Sequence, residues 1–274
     1  MRRRGRSQIP LFVALWTFTI VTLVPVIWAV LTSFKRPVDA FAVPPEFIFP
    51  PTAEFHYQVW VEKGFWRYLI NSAIVSTSVV VISVSIGTMA AYGLSRLHSR
   101  TSRGVLFAIL SMRMFPQILL AIPFFVLAKW LGLINTYPAL IFALIAINQP
   151  FTIWLMRSFF VDVPRELYEA AEVDGCNAWQ VFARVGLPVV RSGVVVTALF
   201  SLLLAYNEFL LSLVLTGPDT KTLPVALAEY GSEDINYWTL SAAAAVGIML
   251  PMVIFMMCMQ RHMVRGLALG AVKE

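Results

Sequence analysis

Residues 163–188 read Val-Pro-Arg-Glu-Leu-Tyr-Glu-Ala-Ala-Glu-Val-Asp-Gly-Cys-Asn-Ala-Trp-Gln-Val-Phe-Ala-Arg-Val-Gly-Leu-Pro, a concentrated acidic island in a very apolar chain. The pattern predicts a helix, a turn and a second helix. Pro164 suits a first helical turn, where its missing N–H costs nothing. Glu166, Glu169, Ala170 and Ala171 are good helix formers. Asp174-Gly175 ends the first helix, because glycine enters the left-handed region without a Cβ clash. Asn177 is placed to cap a second short helix through Phe182. Gly186 and Pro188 close it.

Around this island lies a chain of 274 residues, 59% hydrophobic and only 13% charged, with a mean hydropathy of +0.76. Soluble domains carry about a quarter charged residues, so the deficit points to a membrane protein. Apolar runs cover roughly 9–31, 68–94, 104–128, 137–160, 189–215 and 240–259. Each is close to the ~20 residues that cross a bilayer as a helix. The expected fold is all-α: a polytopic membrane protein of six transmembrane helices, built as a single transmembrane domain over residues 1–274. The basic start Arg2, Arg3, Arg4 and Arg6 before the first run resembles a signal peptide. The run is too long and lacks a small-residue cleavage pattern, so an uncleaved first span is expected. Pro25 can kink it. The connection from Phe34 to Arg67 is rich in proline and reads as an irregular loop.

Six spans put both termini on one side, and Lys and Arg decide which. With the N-terminus inside, the inner segments hold Arg2, Arg3, Arg4, Arg6, Arg96, Arg100, Arg103, Arg157, Arg165, Arg184, Arg191, Arg261, Arg265 and Lys273. The outer ones hold only Lys35, Arg36, Lys63, Arg67, Lys129 and Lys221. Both termini are therefore expected in the cytoplasm, with Trp28, Trp66, Tyr68, Trp130, Tyr137 and Trp238 near the outer interface. The net charge of +6 does not indicate nucleic acid, because the cations flank apolar runs rather than forming one patch. The island, residues 161–188, then lies inside against the charge trend. Anionic lipid would repel it, so a protein partner is expected.

The run Glu169-Ala170-Ala171, then Asp174-Gly175, then Leu187-Pro188 resembles the signature loop of binding-protein-dependent ABC importer permeases. With Val163-Pro164, Glu166-Leu167 and Trp179-Gln180-Val181-Phe182 it is similar to the carbohydrate-uptake branch, in particular the smaller permease subunit of maltose importers. Met114-Phe115-Pro116, Trp130-Leu131-Gly132-Leu133, Asn207-Glu208-Phe209-Leu210 and the segment from Gly266-Leu267 to Val272-Lys273 extend the resemblance over most of the chain. Many relatives carry a proline a few residues after the Leu-Pro pair, where this chain has Arg191 and Ser192. The resemblance implies a cytoplasmic coupling helix between the fourth and fifth spans, docked on an ATP-binding-cassette ATPase dimer through Glu166, Glu169, Ala170, Ala171, Asp174, Gly175, Leu187 and Pro188. It also implies a second homologous permease subunit, an extracytoplasmic solute-binding protein, a location in the bacterial cytoplasmic membrane, and alternating access as the mechanism.

No residue pattern looks catalytic. A Walker-type loop is missing from the sequence, so ATP and Mg belong to a partner ATPase and no cofactor is expected on this chain. His56, His98 and His262 are scattered through connections and tail, where solvent-facing positions are expected, and show no metal-ligand spacing. Cys176 and Cys258 show no disulfide or metal spacing. Polar groups within spans need a reason. Arg113, Pro116 and Gln117 in the third run, Asn148 in the fourth, and Asn207 and Glu208 in the fifth are candidates for a translocation path. The other reading of each is interhelical hydrogen bonding that only fixes packing. Pro116 is expected to break its helix. Gly87, Gly247 and Ala242–Ala245 suit close helix approach. Two further function classes stand beside the importer: an ion-gradient-driven secondary transporter, whose broken spans usually come in repeated halves, and a non-transporting scaffold. Cargo of sugar, polyol or glycerophosphate type is left open.

Overall fold

A computed structural model describes residues 8–97, 99–229 and 235–271, with side chains described through Gln260. The two chain ends, with Arg2, Arg3, Arg4, Arg6 and Lys273, lie outside the described residues, as do His98 and the side chains of Arg261, His262 and Arg265. All regular structure among the described residues is helical. The principal helices are α1 (Gln8–Ser33), α2 (Trp66–Arg96), α3 (Ser99–Met112), α4 (Gln117–Trp130), α5 (Tyr137–Val161), α6 (Arg165–Val173), α7 (Ala178–Val181), α8 (Arg191–Tyr206), α9 (Leu210–Leu215), α10 (Leu223–Ala228) and α11 (Ile235–Ala271). Among the described residues, four helices are long and apolar enough to cross a membrane, and up to six spans result if each bent pair counts as one.

Two of the expected runs are not single straight helices. The run 104–128 is broken at Arg113–Pro116, where α3 and α4 meet at 82°. Pro116 has no N–H to donate and disfavours helical backbone in the residue before it. The chain tightens just ahead of it, with the N–H groups of Arg113 and Met114 donating to the carbonyls of Leu110 and Ser111 at 3.0 and 3.1 Å. The run 189–215 is bent by 77° at Val190 and interrupted again at Asn207–Phe209 before α9. The second short helix after Asn177 does not close at Gly186 and Pro188. It continues as a π turn, Phe182–Gly186, and a further helical piece, Leu187–Val189. The wider turn, in which the Leu187 N–H donates to the Phe182 carbonyl, accepts Pro188 without interrupting the helical path.

The chain divides into two compact units. The first comprises residues 1–66 and 226–250. Here α1 is exposed along its apolar length, and the loop after it folds back on its last turn. Lys35 is 1% exposed; its ammonium donates to the Glu46 carbonyl and lies 4.7 and 5.0 Å from the ring centres of Trp28 and Phe49. Desolvating a cation is costly, and the carbonyl and two ring faces offset that cost. Gly247 leaves room for Trp60, which a Cβ there would overlap.

The second unit comprises residues 67–225 and 251–274. Its largest core packs α2, α4, α5, α8 and α9 around Val75, Val79, Ala121, Leu140, Leu144 and Leu211. Gly87 lets α2 approach α5, since a Cβ there would stand 2.5 Å from Thr152 Cγ2. Near the N-terminal end of α2 a polar network fixes residues 217–223. Asn71 Nδ2 donates to the carbonyls of Asp219 and Lys221 at 3.0 and 2.9 Å. The Tyr137 hydroxyl donates to Asn71 Oδ1 at 2.7 Å, and Ser72 Oγ accepts from Leu223 N–H at 2.8 Å.

His56 does not face solvent. It is half-buried, with Nε2 3.1 Å from Ser33 Oγ and its ring 4.7 Å from that of Phe34. Burial lowers its pKa below the ordinary 6.5. The folded loop therefore favours the neutral ring: the contact is at full strength above about pH 6.5 and is lost as the pH falls and the ring protonates. Hydrogen exchange across residues 34–56 is expected to accelerate between about pH 7 and pH 5, beyond the intrinsic pH effect, and to lose that step in His56→Gln. A wild-type profile without the step refutes the role given to His56.

Candidate functional site

Two features of the second unit carry the candidate chemistry. The first is the loop built on α6. Pro164 stands at its N-cap, and Glu166 in the first turn complements the positive helix end. Its C-terminus closes as a Schellman motif: Cys176 N–H donates to the Ala171 carbonyl at 3.0 Å, and Gly175 N–H to that of Glu172 at 3.1 Å. Gly175 has φ +84° with open space around it, so the backbone dihedral alone demands glycine. α7 opens with a capping box, Asn177 Oδ1 accepting from Gln180 N–H and Gln180 Oε1 from Asn177 N–H, both at 2.9 Å.

One stripe of α6 faces inward. Tyr168 and Ala171 are 2% and 8% exposed and pack with Ala91, Met156, Phe160, Val181, Phe182 and Val190. The Tyr168 ring lies 5.9 Å from Tyr92, whose ring is 5.5 Å from Phe160 and 5.1 Å from Phe182. Burial, then the Tyr92 hydroxyl, pushes the Tyr168 pKa up, and the Arg96 guanidinium pulls it partly back. The Tyr168 hydroxyl has no hydrogen-bond partner among the described residues. Arg96 reaches it from the end of α2, with Cζ 4.9 Å over the ring and Nη2 2.7 Å from Glu172 Oε1.

The loop residues expected to act together divide by face. Glu166, Glu169, Ala170, Asp174 and Gly175 are exposed, Ala171 belongs to the core, and half-buried Leu187 and exposed Pro188 lie in the helical piece leading to the bend at Val190. Three apolar residues of the loop are exposed, Leu167 (45%), Val173 (88%) and Trp179 (63%); the first and last belong to the segments that carry the resemblance, and Val173 escaped the sequence reading. The signal for Val173 was present, because it lies on the Glu166–Glu169–Ala170 stripe, out of phase with Tyr168 and Ala171.

The second feature is a cavity of about 390 Å³ between the two helix breaks. Arg113, Gln117, Asn148, Asn207 and Glu208 line it together with apolar residues of α5 and α8. Pro116 does not line it but sets the break as the N-cap of α4. An adjoining apolar cavity of about 470 Å³ shares Arg113 and Gln117 and is bounded by Phe115, Phe124 and Pro150. The Arg113 guanidinium lies 4.8 Å from the centre of the Phe151 ring. Glu208 Oε1 accepts from Leu211 N–H at 2.8 Å and so caps α9. Asn207 Nδ2 donates to the Leu203 carbonyl at 2.8 Å. Asn148, 5% exposed, donates to Ser201 Oγ, while its Oδ1 has no partner among the described residues. No group of three metal-ligating side chains occurs among the described residues.

Residues 83–269 match the family of binding-protein-dependent transport system inner membrane components. The chain belongs to this family. A probable ABC transporter permease protein of Sinorhizobium fredii, y4oR, is 41% identical to this permease over 94% of this chain and 95% of its own. The trehalose transport system permease protein SugB of Mycobacterium tuberculosis is 36% identical over 92% of each chain. The trehalose/maltose transport system permease protein MalG of Thermococcus litoralis is 32% identical over 100% of this chain and 99% of its own. Among solved structures, a chain from a bacterial ABC transporter involved in import of the acidic polysaccharide alginate superposes with a TM-score of 0.73 at 23% identity, covering 95% of this permease and 99% of that chain. That likeness establishes a shared fold.

The positive φ at Gly175 yields a local test. Gly175→Val forces a β-branched residue into the left-handed region at a cost of about 2 kcal/mol. Faster amide exchange is expected at Asp174–Cys176, with the Ser102–Leu94 contact of α2 and α3 intact. Gly175→Asn, which tolerates the same dihedral, is expected to exchange nearly as the wild type does. Equal protection in Gly175→Val and wild type refutes the assignment.

Proposed function

We propose that this chain is a membrane-spanning permease subunit of an ATP-driven ABC importer, translocating a sugar or sugar-like solute across the bacterial cytoplasmic membrane by alternating access. The observation that carries the reading is the two-faced α6–α7 loop. One stripe is anchored in the permease core through Tyr168 and Ala171. The other offers Glu166, Leu167, Glu169, Ala170, Val173, Asp174 and Trp179. An anchored knob with a mixed apolar and acidic surface suits docking in a groove of a protein partner. That partner is an ATPase dimer that carries the ATP and Mg, with the loop and both termini in the cytoplasm. A second homologous permease completes the pathway, and an extracytoplasmic solute-binding protein delivers the solute. Pro218 and Asp219, exposed on the segment 217–223 that Asn71, Ser72 and Asn135 fix, offer that receptor a preformed contact.

Sugar as cargo is supported by the trehalose and maltose permeases among the relatives and by the chemistry of the cavity. Arg113 and the Gln117 amide combine donors and an acceptor beside apolar walls, a lining suited to a polyhydroxylated solute. Glu208 and Asn207 serve the backbone, which makes them positioning groups for the path.

The test is uptake by the complete complex in proteoliposomes with trehalose or maltose as probe. Uptake is expected to require ATP and to stop when the ATPase subunit is omitted. Gly175→Val is expected to abolish it. Arg113→Ala is expected to lower it about tenfold with assembly unchanged, a transition-state loss of about 1.4 kcal/mol. Uptake that persists without the ATPase, driven by an ion gradient, overturns the reading.

A further inference from the structure

The end of α2 is held from two sides. Arg96 is the last residue of this 31-residue helix, and its guanidinium is shared between two residues of α6, the Glu172 carboxylate at 2.7 Å and the Tyr168 ring at 4.9 Å. One turn earlier, Tyr92 stands against Tyr168 and Phe182. On the other side the buried Ser102 hydroxyl donates to the Leu94 carbonyl at 2.7 Å and accepts from Arg157 Nε of α5 at 2.9 Å. Glu172 follows the Glu-Ala-Ala run and lies outside the residues that carry the family resemblance.

The ion pair is too exposed to matter much for stability, since its side chains are 33% and 50% accessible and such pairs contribute little. Its geometry is more informative. A planar guanidinium that satisfies a carboxylate at its edge and an aromatic ring at its face fixes the orientation of both. It also joins α6 to a helix that is neither of the two flanking the loop in sequence.

We infer that Arg96 is a positioning residue that makes α6 and α2 one moving body, so that displacement of the coupling helix enters the membrane through α2 as well as through α5 and α8. The inference rests on the reading of α6 as the coupling helix. A rigid helix transmits motion at one end along its whole length. Without Arg96, α2 and α6 keep only the apolar contact of Ala91 and Tyr92 with Tyr168, which does not fix their mutual orientation, and α2 can lag behind α6.

The experiment uses the complete complex with Cys176 and Cys258 replaced by serine and spin labels at Ser85→Cys on α2 and Arg165→Cys on α6, exposed positions outside the residues assigned to docking. The distance between the labels is measured without nucleotide and after trapping with Mg-ATP and vanadate. With Arg96 present, it is expected to be the same in both states. Arg96→Glu and the uncharged Arg96→Gln are expected to let it shift on trapping. Arg96→Glu combined with Glu172→Arg is expected to abolish the shift again. A role confined to stability lowers the yield of complex without making the distance depend on nucleotide. The inference is overturned by a nucleotide-dependent distance with Arg96 in place, by an invariant one in Arg96→Glu, or by a swap that fails to restore invariance. If the ATPase does not co-purify with the unmodified permease, the functional reading itself falls. Co-purification with a moving distance removes only the role of Arg96.

Discussion

The seating of Tyr168 against Tyr92, Phe160 and Phe182 is the interaction on which the candidate partner surface depends. α6 is nine residues long, and helices of that length are not stable in isolation. Burying one large side chain contributes about 1.5–3 kcal/mol, and Ala171 lets the helix lie close enough to place Tyr168 there. The Schellman closure at Gly175 and the capping box at Asn177 then satisfy the helix ends without using the exposed stripe. Its residues are thereby released from any folding task. That explains how a charged and apolar mixture can be displayed there.

A second constraint shapes the apolar helices. Backbone groups inside a membrane must find partners within the protein, so a helix break is tolerable only where something satisfies the freed ends. At Asn207–Phe209 the chain does this itself: Glu208 caps α9 and Asn207 bonds back to Leu203. At Arg113–Pro116 the proline removes one donor, and tightened turns absorb two more. Both breaks then open on one cavity. The polar residues there divide accordingly. Glu208 and Asn207 are occupied by backbone, whereas Arg113 and Gln117 line the cavity and Asn148 is held by Ser201.

Local chemistry was legible in the sequence. Gly175 as a helix stop, Asn177 as a cap and Pro116 as a break follow from the covalent nature of single residues, and the structure has each in that role. The apolar runs located the helices because composition alone separates them from their connections. Features that depend on residues distant in the chain were not legible. Lys35 sits in a polar, proline-rich connection, where a lysine normally meets water; the aromatic faces and carbonyl that bury it come from Trp28, Phe49 and Glu46. His56 looked exposed for the same reason. The bend falls at Val190, two residues beyond the Pro188 that marks a helix end in the sequence, and the π turn before it has no compositional mark. The division of the loop between Ala170, which is exposed, and Ala171, which is buried, could be read only once the Tyr168 stripe was known to face inward.

The same long-range contacts give α2 a distinctive place. Its first turns are fixed by Asn71 and Ser72 to residues 219–223, and its last turn is fixed by Tyr92 and Arg96 to α6. Between Asn71 and Arg96 lie about 38 Å of uninterrupted helix at 1.5 Å per residue, with no proline inside it. α4, α5 and α11 each contain a proline, and α8 joins its neighbours through breaks at both ends. A helix interrupted by proline or a loop can bend and dissipate a displacement. α2 lacks such a point of yield. One unbroken element thus joins the segment 219–223 to α6, held near both ends by side-chain contacts to other parts of the chain.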